Sequence, residues 1–82
     1  MENRNLAGCF GAVVRTLRQR KGLSQEDFAD VCGLHRTYIG SIERGEKTVT
    51  IETANKVAIA LGMSLSQLFI LLEKEGADSH EG

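Results

Sequence analysis

Arg36, Thr37, Tyr38 and Ser41 place four hydrogen-bonding side chains on one short stretch of chain. An arginine can donate two parallel N–H bonds to guanine O6 and N7, the commonest specific contact in the DNA major groove. A threonine can bond a base edge or lay its methyl group on that of thymine. Tyr38 suits the sugar–phosphate backbone or an apolar base edge. Ser41 follows Thr37 by one helical turn and is expected to point into the same groove. Arg44, Lys47 and Thr48 come next and would reach phosphates. Gln25 opens the preceding helical segment, where its amide and the free N–H groups of a helix end suit a phosphate. These groups recognise rather than react. The chain has no glycine-rich phosphate loop and no nucleophile paired with a base, so neither an enzyme nor a cofactor is expected.

The segment that must position these side chains is SQEDFADVCGLHRTYIGSIERG, residues 24–45. It reads as two short helices and one sharp turn, a helix-turn-helix that presents its second helix to the major groove. Ser24 can N-cap the first of them, with Asp27 three residues on as in a capping box. Ala29 is small where the helices cross. Gly33 supplies the left-handed backbone common just past a helix end. Leu34, Ile39 and Ile42 are expected to face inward.

Around this motif the periodicity predicts an all-α, five-helix domain. The first helix covers about 8–21, with Phe10, Val13, Val14 and Leu17 as its apolar stripe. The motif helices cover 25–31 and 36–43. Thr50 caps a helix over 51–61, and Ser64 with Gln67 forms a capping box for a helix over 65–74. Gly22, Gly45 and Gly62 close helices. A single domain is expected over 1–82, with its core at about 8–74 and a frayed polar tail at 75–82.

Eighty-two residues bury only a modest core, so compact helices or a second copy must supply further stability. The net charge of −1 argues at first against nucleic acid. Its distribution reverses that reading. Arg15, Arg18, Arg20, Lys21, Arg36, Arg44, Lys47 and Lys56 lie in the body, whereas Glu73, Glu75, Asp78 and Glu81 crowd the tail, and DNA responds to the local basic face. Arg18 and Lys56 read as solvated helix positions. Surface pairing is the alternative for Arg36 with Asp30, and for Arg44 with Glu43 or Glu46. His35 reads as a simple N-cap. Cys9, Cys32, His35 and His80 do not make a metal spacing, and buried cysteines usually act as small apolar groups. No apolar run approaches the roughly 20 residues of a membrane span, and the N-terminus lacks a secretory apolar region, so a cytoplasmic protein without a membrane or small-molecule partner is expected. Leu65, Leu68, Phe69, Ile70, Leu71 and Leu72 exceed what one small core can absorb. Leu65, Phe69 and Ile70 are therefore expected at a homodimer interface.

The motif, with its caps and apolar positions, resembles the phage-repressor and Cro-like regulators of the XRE type. The run HRTYIGSIERG, followed by TVTIETANKVAIALGMSLSQLF, is most similar to the controller proteins of restriction–modification systems. The resemblance implies a lambda-repressor-like fold and a dimer reading a pseudo-palindromic operator on double-stranded DNA. It implies a backbone contact for Gln25, which would also brace Arg36. It further implies that Glu26 and Asp30, four apart on one exposed helical face, contact the RNA polymerase sigma factor. A Cro-like repressor or an antitoxin is the alternative within DNA binding. An interaction module without DNA is the alternative of another class.

Overall fold

The computed structural model describes residues 5–81, with side chains described as far as residue 75. Among these residues the elements run α1 Leu6–Arg20, α2 Gln25–Cys32, α3 Arg36–Glu43, α4 Ile51–Ala60 and α5 Leu65–Glu81, with no strand. α1 packs on α3 and α5, α2 packs on α3 and α4, and α4 packs on α5.

α2 and α3 have eight residues each. Isolated helices shorter than about 12–15 residues are marginal in water, so packing must hold these two in place. Phe28 from α2 and Ile39 and Ile42 from α3 supply it. They are fully buried, together with Val14, Val57 and Leu68. Each such side chain contributes about 1.5–3 kcal/mol relative to an exposed one.

Side-chain caps fix where the helices start. Ser24 Oγ accepts from Asp27 N–H at 3.0 Å, and Thr50 Oγ1 accepts from Thr53 N–H at 3.1 Å. The predicted box before α5 is complete. Ser64 Oγ accepts from Gln67 N–H at 3.1 Å, and Gln67 Oε1 accepts from Ser64 N–H at 2.8 Å. α1 starts two residues earlier than the periodicity suggested, because Asn5 Oδ1 accepts from Gly8 N–H at 2.9 Å. Gly33 takes φ 74° in the turn between α2 and α3.

Gly11 lets α1 cross α3 backbone to backbone. A Cβ there would collide with the Ile42 carbonyl and lie 2.8 Å from that of Glu43. The end of α3 is thereby fixed against α1.

A larger difference from the expectation lies at the end of α5. The backbone of residues 75–81, read as a frayed tail, continues α5 to Glu81. The chain has no proline, and a lone glycine at position 76 costs only about 1 kcal/mol in a helix interior. The side chains of Asp78, His80 and Glu81 lie outside the described ones.

Candidate nucleic-acid interface

α3 divides along its length. Arg36 and Thr37 at its start are exposed, Tyr38 is half-buried against the core, and Ile39, Gly40, Ser41 and Ile42 are buried. Arg36 forms no ion pair with another described residue, Asp30 included. His35 occupies the N-cap position without a side-chain cap bond, and Arg36 and Thr37 after it face solvent.

Ser41 does not join them. It is 9% exposed, and its hydroxyl donates to the Thr37 carbonyl at 3.2 Å. Helical spacing alone puts Ser41 under Thr37. The chain leaving α3 turns back instead, with Glu46 N–H donating to the Ser41 carbonyl at 3.0 Å, and the hydroxyl closes on its own helix.

Beneath α3 lies a buried polar cluster. Arg18 Nε donates to Glu43 Oε2 at 2.6 Å, and Arg18 Nη2 donates to Glu43 Oε1 at 3.0 Å. Arg18 Nη1 donates to the Leu23 carbonyl at 2.7 Å, and Gln25 Nε2 donates to Glu43 Oε1 at 3.0 Å. The Arg18 and Glu43 side chains are 9% and 3% exposed. The hydrogen bond to Glu43 raises the Arg18 guanidinium above its ordinary value, against the opposing effect of burial. Four segments meet here: the end of α1, the loop after it, the start of α2 and the end of α3.

Two expectations are corrected by this cluster. Arg18 is not a solvated helix position. It points inward because Glu43 sits in the last turn of α3, where the helix dipole disfavours an acid and a cation must compensate. Gln25 does brace α3, but through Glu43 at its far end rather than through Arg36 at its start. Glu43, expected only as an alternative surface partner of Arg44, is instead the buried anchor that ties the end of α3 to Arg18 and Gln25. Its signal was the acid at a helix C-terminus between apolar and basic neighbours.

The remaining basic groups are at the surface. Arg44 Nε donates to Glu46 Oε2 at 2.9 Å and Arg44 Nη2 donates to Glu46 Oε1 at 3.2 Å, so of the two surface partners considered for Arg44, Glu46 holds it. Each side chain of this pair is more than half exposed. The pairing raises the Arg44 guanidinium and holds the Glu46 carboxyl below its ordinary value. Lys47 and Thr48 are exposed just beyond. Glu26 and Asp30 are exposed on α2.

Two further features lie apart from α3. Phe69 is 36% and Ile70 55% exposed on α5, while Leu65 is half-buried against the core. Beside them is an open groove of about 430 Å³ lined by Leu6, Phe10, Val49, Ile51, Phe69 and Leu72. Cys32 is buried, which pushes its thiol up to about 11. No group of three or more histidine, cysteine or acidic side chains gathers among the described residues. No single helix among them is long and apolar enough to cross a membrane.

The fold and this surface define a helix-turn-helix protein in which the start of α3 is exposed and its end is anchored. A helix-turn-helix family model (HTH_3) matches residues 14–68. Control protein C.SmaI from Serratia marcescens is 45% identical over 69 residues, covering 84% of this chain and 79% of that protein. The restriction-modification controller protein C.AhdI from Aeromonas hydrophila has a crystal structure that superposes with a TM-score of 0.73 at 43% identity, over 77% of this chain and 96% of that one. The restriction-modification controller C.Esp1396I, crystallised as a tetramer on its natural 35 base-pair operator, superposes with a TM-score of 0.81 at 35% identity, over 88% of this chain and 95% of that one. The chain belongs to this helix-turn-helix family of XRE type, alongside the control proteins of restriction–modification systems.

Proposed function

We propose that the chain is a DNA-binding transcriptional regulator of the controller type, acting in the cytoplasm as a homodimer on a pseudo-palindromic operator. The observation that carries this reading is the division of α3: Arg36 and Thr37 stand free in solvent while Glu43 ties the other end of the helix to Arg18 and Gln25. A helix held so firmly at one end presents its start as a rigid reader. Arg36 contacts a guanine, Thr37 a neighbouring base, and Tyr38 the backbone or an apolar base edge. Gln25, Arg44, Lys47 and Thr48 contact phosphates.

One such helix reads few base pairs, and two of them about 34 Å apart read both half-sites. The apolar face of Phe69 and Ile70, with Leu65 at its half-buried edge, forms the two-fold interface. Glu26 and Asp30 on α2 contact the RNA polymerase sigma factor. Regulation then follows protein concentration. A rising dimer population fills a strong operator first and a weak one later, which gives activation followed by repression of the regulated genes.

The test is selection of bound sequences from a random duplex pool, followed by affinity measurements for the winner with wild type and Arg36→Ala. The expected result is a two-fold symmetric site at which Arg36→Ala relaxes one base pair per half-site, with a loss of about 1–3 kcal/mol of discrimination per contact. Absence of enrichment, or weak binding to every sequence that vanishes with salt, would favour an interaction module instead. For the polymerase contact, charge reversal at Glu26 and Asp30 should abolish activation without changing operator affinity. Activation that persists removes that contact from the scheme.

A further inference from the structure

The Arg44–Glu46 pair occupies a guanidinium that the DNA-binding reading assigns to phosphate. Residues two apart on a helix do not face each other. Here Gly45 intervenes at φ 75°, a left-handed turn that returns the chain and sets Glu46 alongside Arg44. The carboxylate then takes the Arg44 side chain side-on, with one oxygen on Nε and the other on Nη2. The geometry is bidentate, as an arginine would offer it to a phosphate.

The guanidinium is also folded back along the helix. Arg44 Nη1 lies 3.1 Å, and Gln25 Oε1 3.7 Å, from the point where a Cβ on Gly40 would stand. The bare backbone of Gly40 therefore leaves room for a guanidinium beside Gln25. These two side chains come from the start of α2 and the end of α3, and both are phosphate contacts in the reading above.

We propose that Glu46 is an intramolecular competitor of DNA phosphate for Arg44, an autoinhibitory contact that sets operator affinity. In the free protein the carboxylate stands in for a phosphate. On the operator, Arg44 exchanges Glu46 for the DNA backbone, and the binding free energy is reduced by the pair that opens. Solvent exposure keeps that pair weak enough to open. The effect acts equally in both protomers, so it counts twice in a dimer. It sets the concentration at which the operator fills, not the sequence that is read.

The proposal rests on the DNA-binding reading, and one experiment separates their failures. Affinities are measured for the operator recovered by selection, at fixed salt, with wild type, Glu46→Gln, Arg44→Gln and the double variant. Glu46→Gln is expected to tighten binding by about three- to ten-fold per dimer, from two exposed pairs worth a few-fold each. In the Arg44→Gln background the same change is expected to bring no gain, because there is no guanidinium to release. A gain that persists without Arg44 would show a general charge effect and overturn the proposal. So would unchanged or weaker binding by Glu46→Gln. A wild type that selects no sequence overturns the DNA-binding reading and this inference with it.

Discussion

Replacing Glu43 by glutamine keeps the shape of the side chain and removes its charge, which isolates what the buried cluster contributes. Arg18 would keep its bond to the Leu23 carbonyl but lose its counter-charge at a position 9% exposed. The glutamine amide would also turn an N–H₂ group toward the donors of Arg18 or Gln25. Breaking a buried pair from one side costs about 3–5 kcal/mol, because a charge is left unpaired. Folding stability for a chain of this length is about 4–12 kcal/mol. A domain of this size loses about 4–8 °C of Tm per kcal/mol, so a fall of at least about 12 °C is expected. The assay is thermal and urea unfolding followed by circular dichroism. Protein concentration is held fixed, because the proposed dimer would add to apparent stability. A loss under about 1 kcal/mol would refute the reasoning and place the pair with exposed ones. A companion variant, Arg18→Met with Glu43→Leu, should recover much of the stability, since apolar replacements of buried pairs are often neutral. Its operator affinity should stay reduced, because Gln25 loses the carboxylate that holds it.

Other substitutions probe the remaining features. Gly11→Ala should destabilise by about 1–3 kcal/mol in urea unfolding, since the new methyl group meets the carbonyls of Ile42 and Glu43. Ile70→Glu should shift the dimer toward monomer in analytical ultracentrifugation while leaving the melting of the monomer nearly unchanged, because Ile70 is 55% exposed. Cys32 gives a pH signature. Burial raises its thiol from 9.0 to about 11, so the folded state holds a proton that the unfolded state releases across that interval. Its contribution to stability is full below pH 9 and is lost as pH rises toward 11. Unfolding of wild type and Cys32→Ala across this range should show the steeper decline in wild type, and parallel declines would remove the thiol from the account.

The local chemistry of this fold was legible along the chain. Ser24, Thr50 and the Ser64–Gln67 pair announce helix starts because a cap bonds a backbone N–H only a few residues away. Phe28, Ile39 and Ile42 announce the core because their spacing follows the helical period. The polar cluster was not legible in the same way. Arg18 and Glu43 are 25 residues apart, and an arginine in the last turn of a helix reads locally as a solvated position, because the helix dipole favours a cation there without any buried partner. Ser41 was misread because spacing gives the direction of a side chain but not what the following turn folds over it. The continuation of α5 was missed because polar composition says little about helicity where neither proline nor a cap intervenes. Among the candidate contacts, Arg36 and Thr37 stand at the exposed start of α3 as expected, whereas Gln25 and Arg44 are already engaged with carboxylates.

The division of α3 also bears on how such a reader diverges. Four of its eight residues are buried, and Glu43 is committed to Arg18 and Gln25. On the proposed reading, a new binding preference is written at Arg36 and Thr37, with Tyr38 held partly by the core it packs against, a vocabulary of a few letters at one end of the helix. Changes at the exposed Arg36 and Thr37 leave the packed scaffold almost untouched, so on that reading operator and regulator can drift together in single steps. On the same reading, two such proteins in one cell become blind to each other's operators through substitutions at these exposed positions, without either losing its shape.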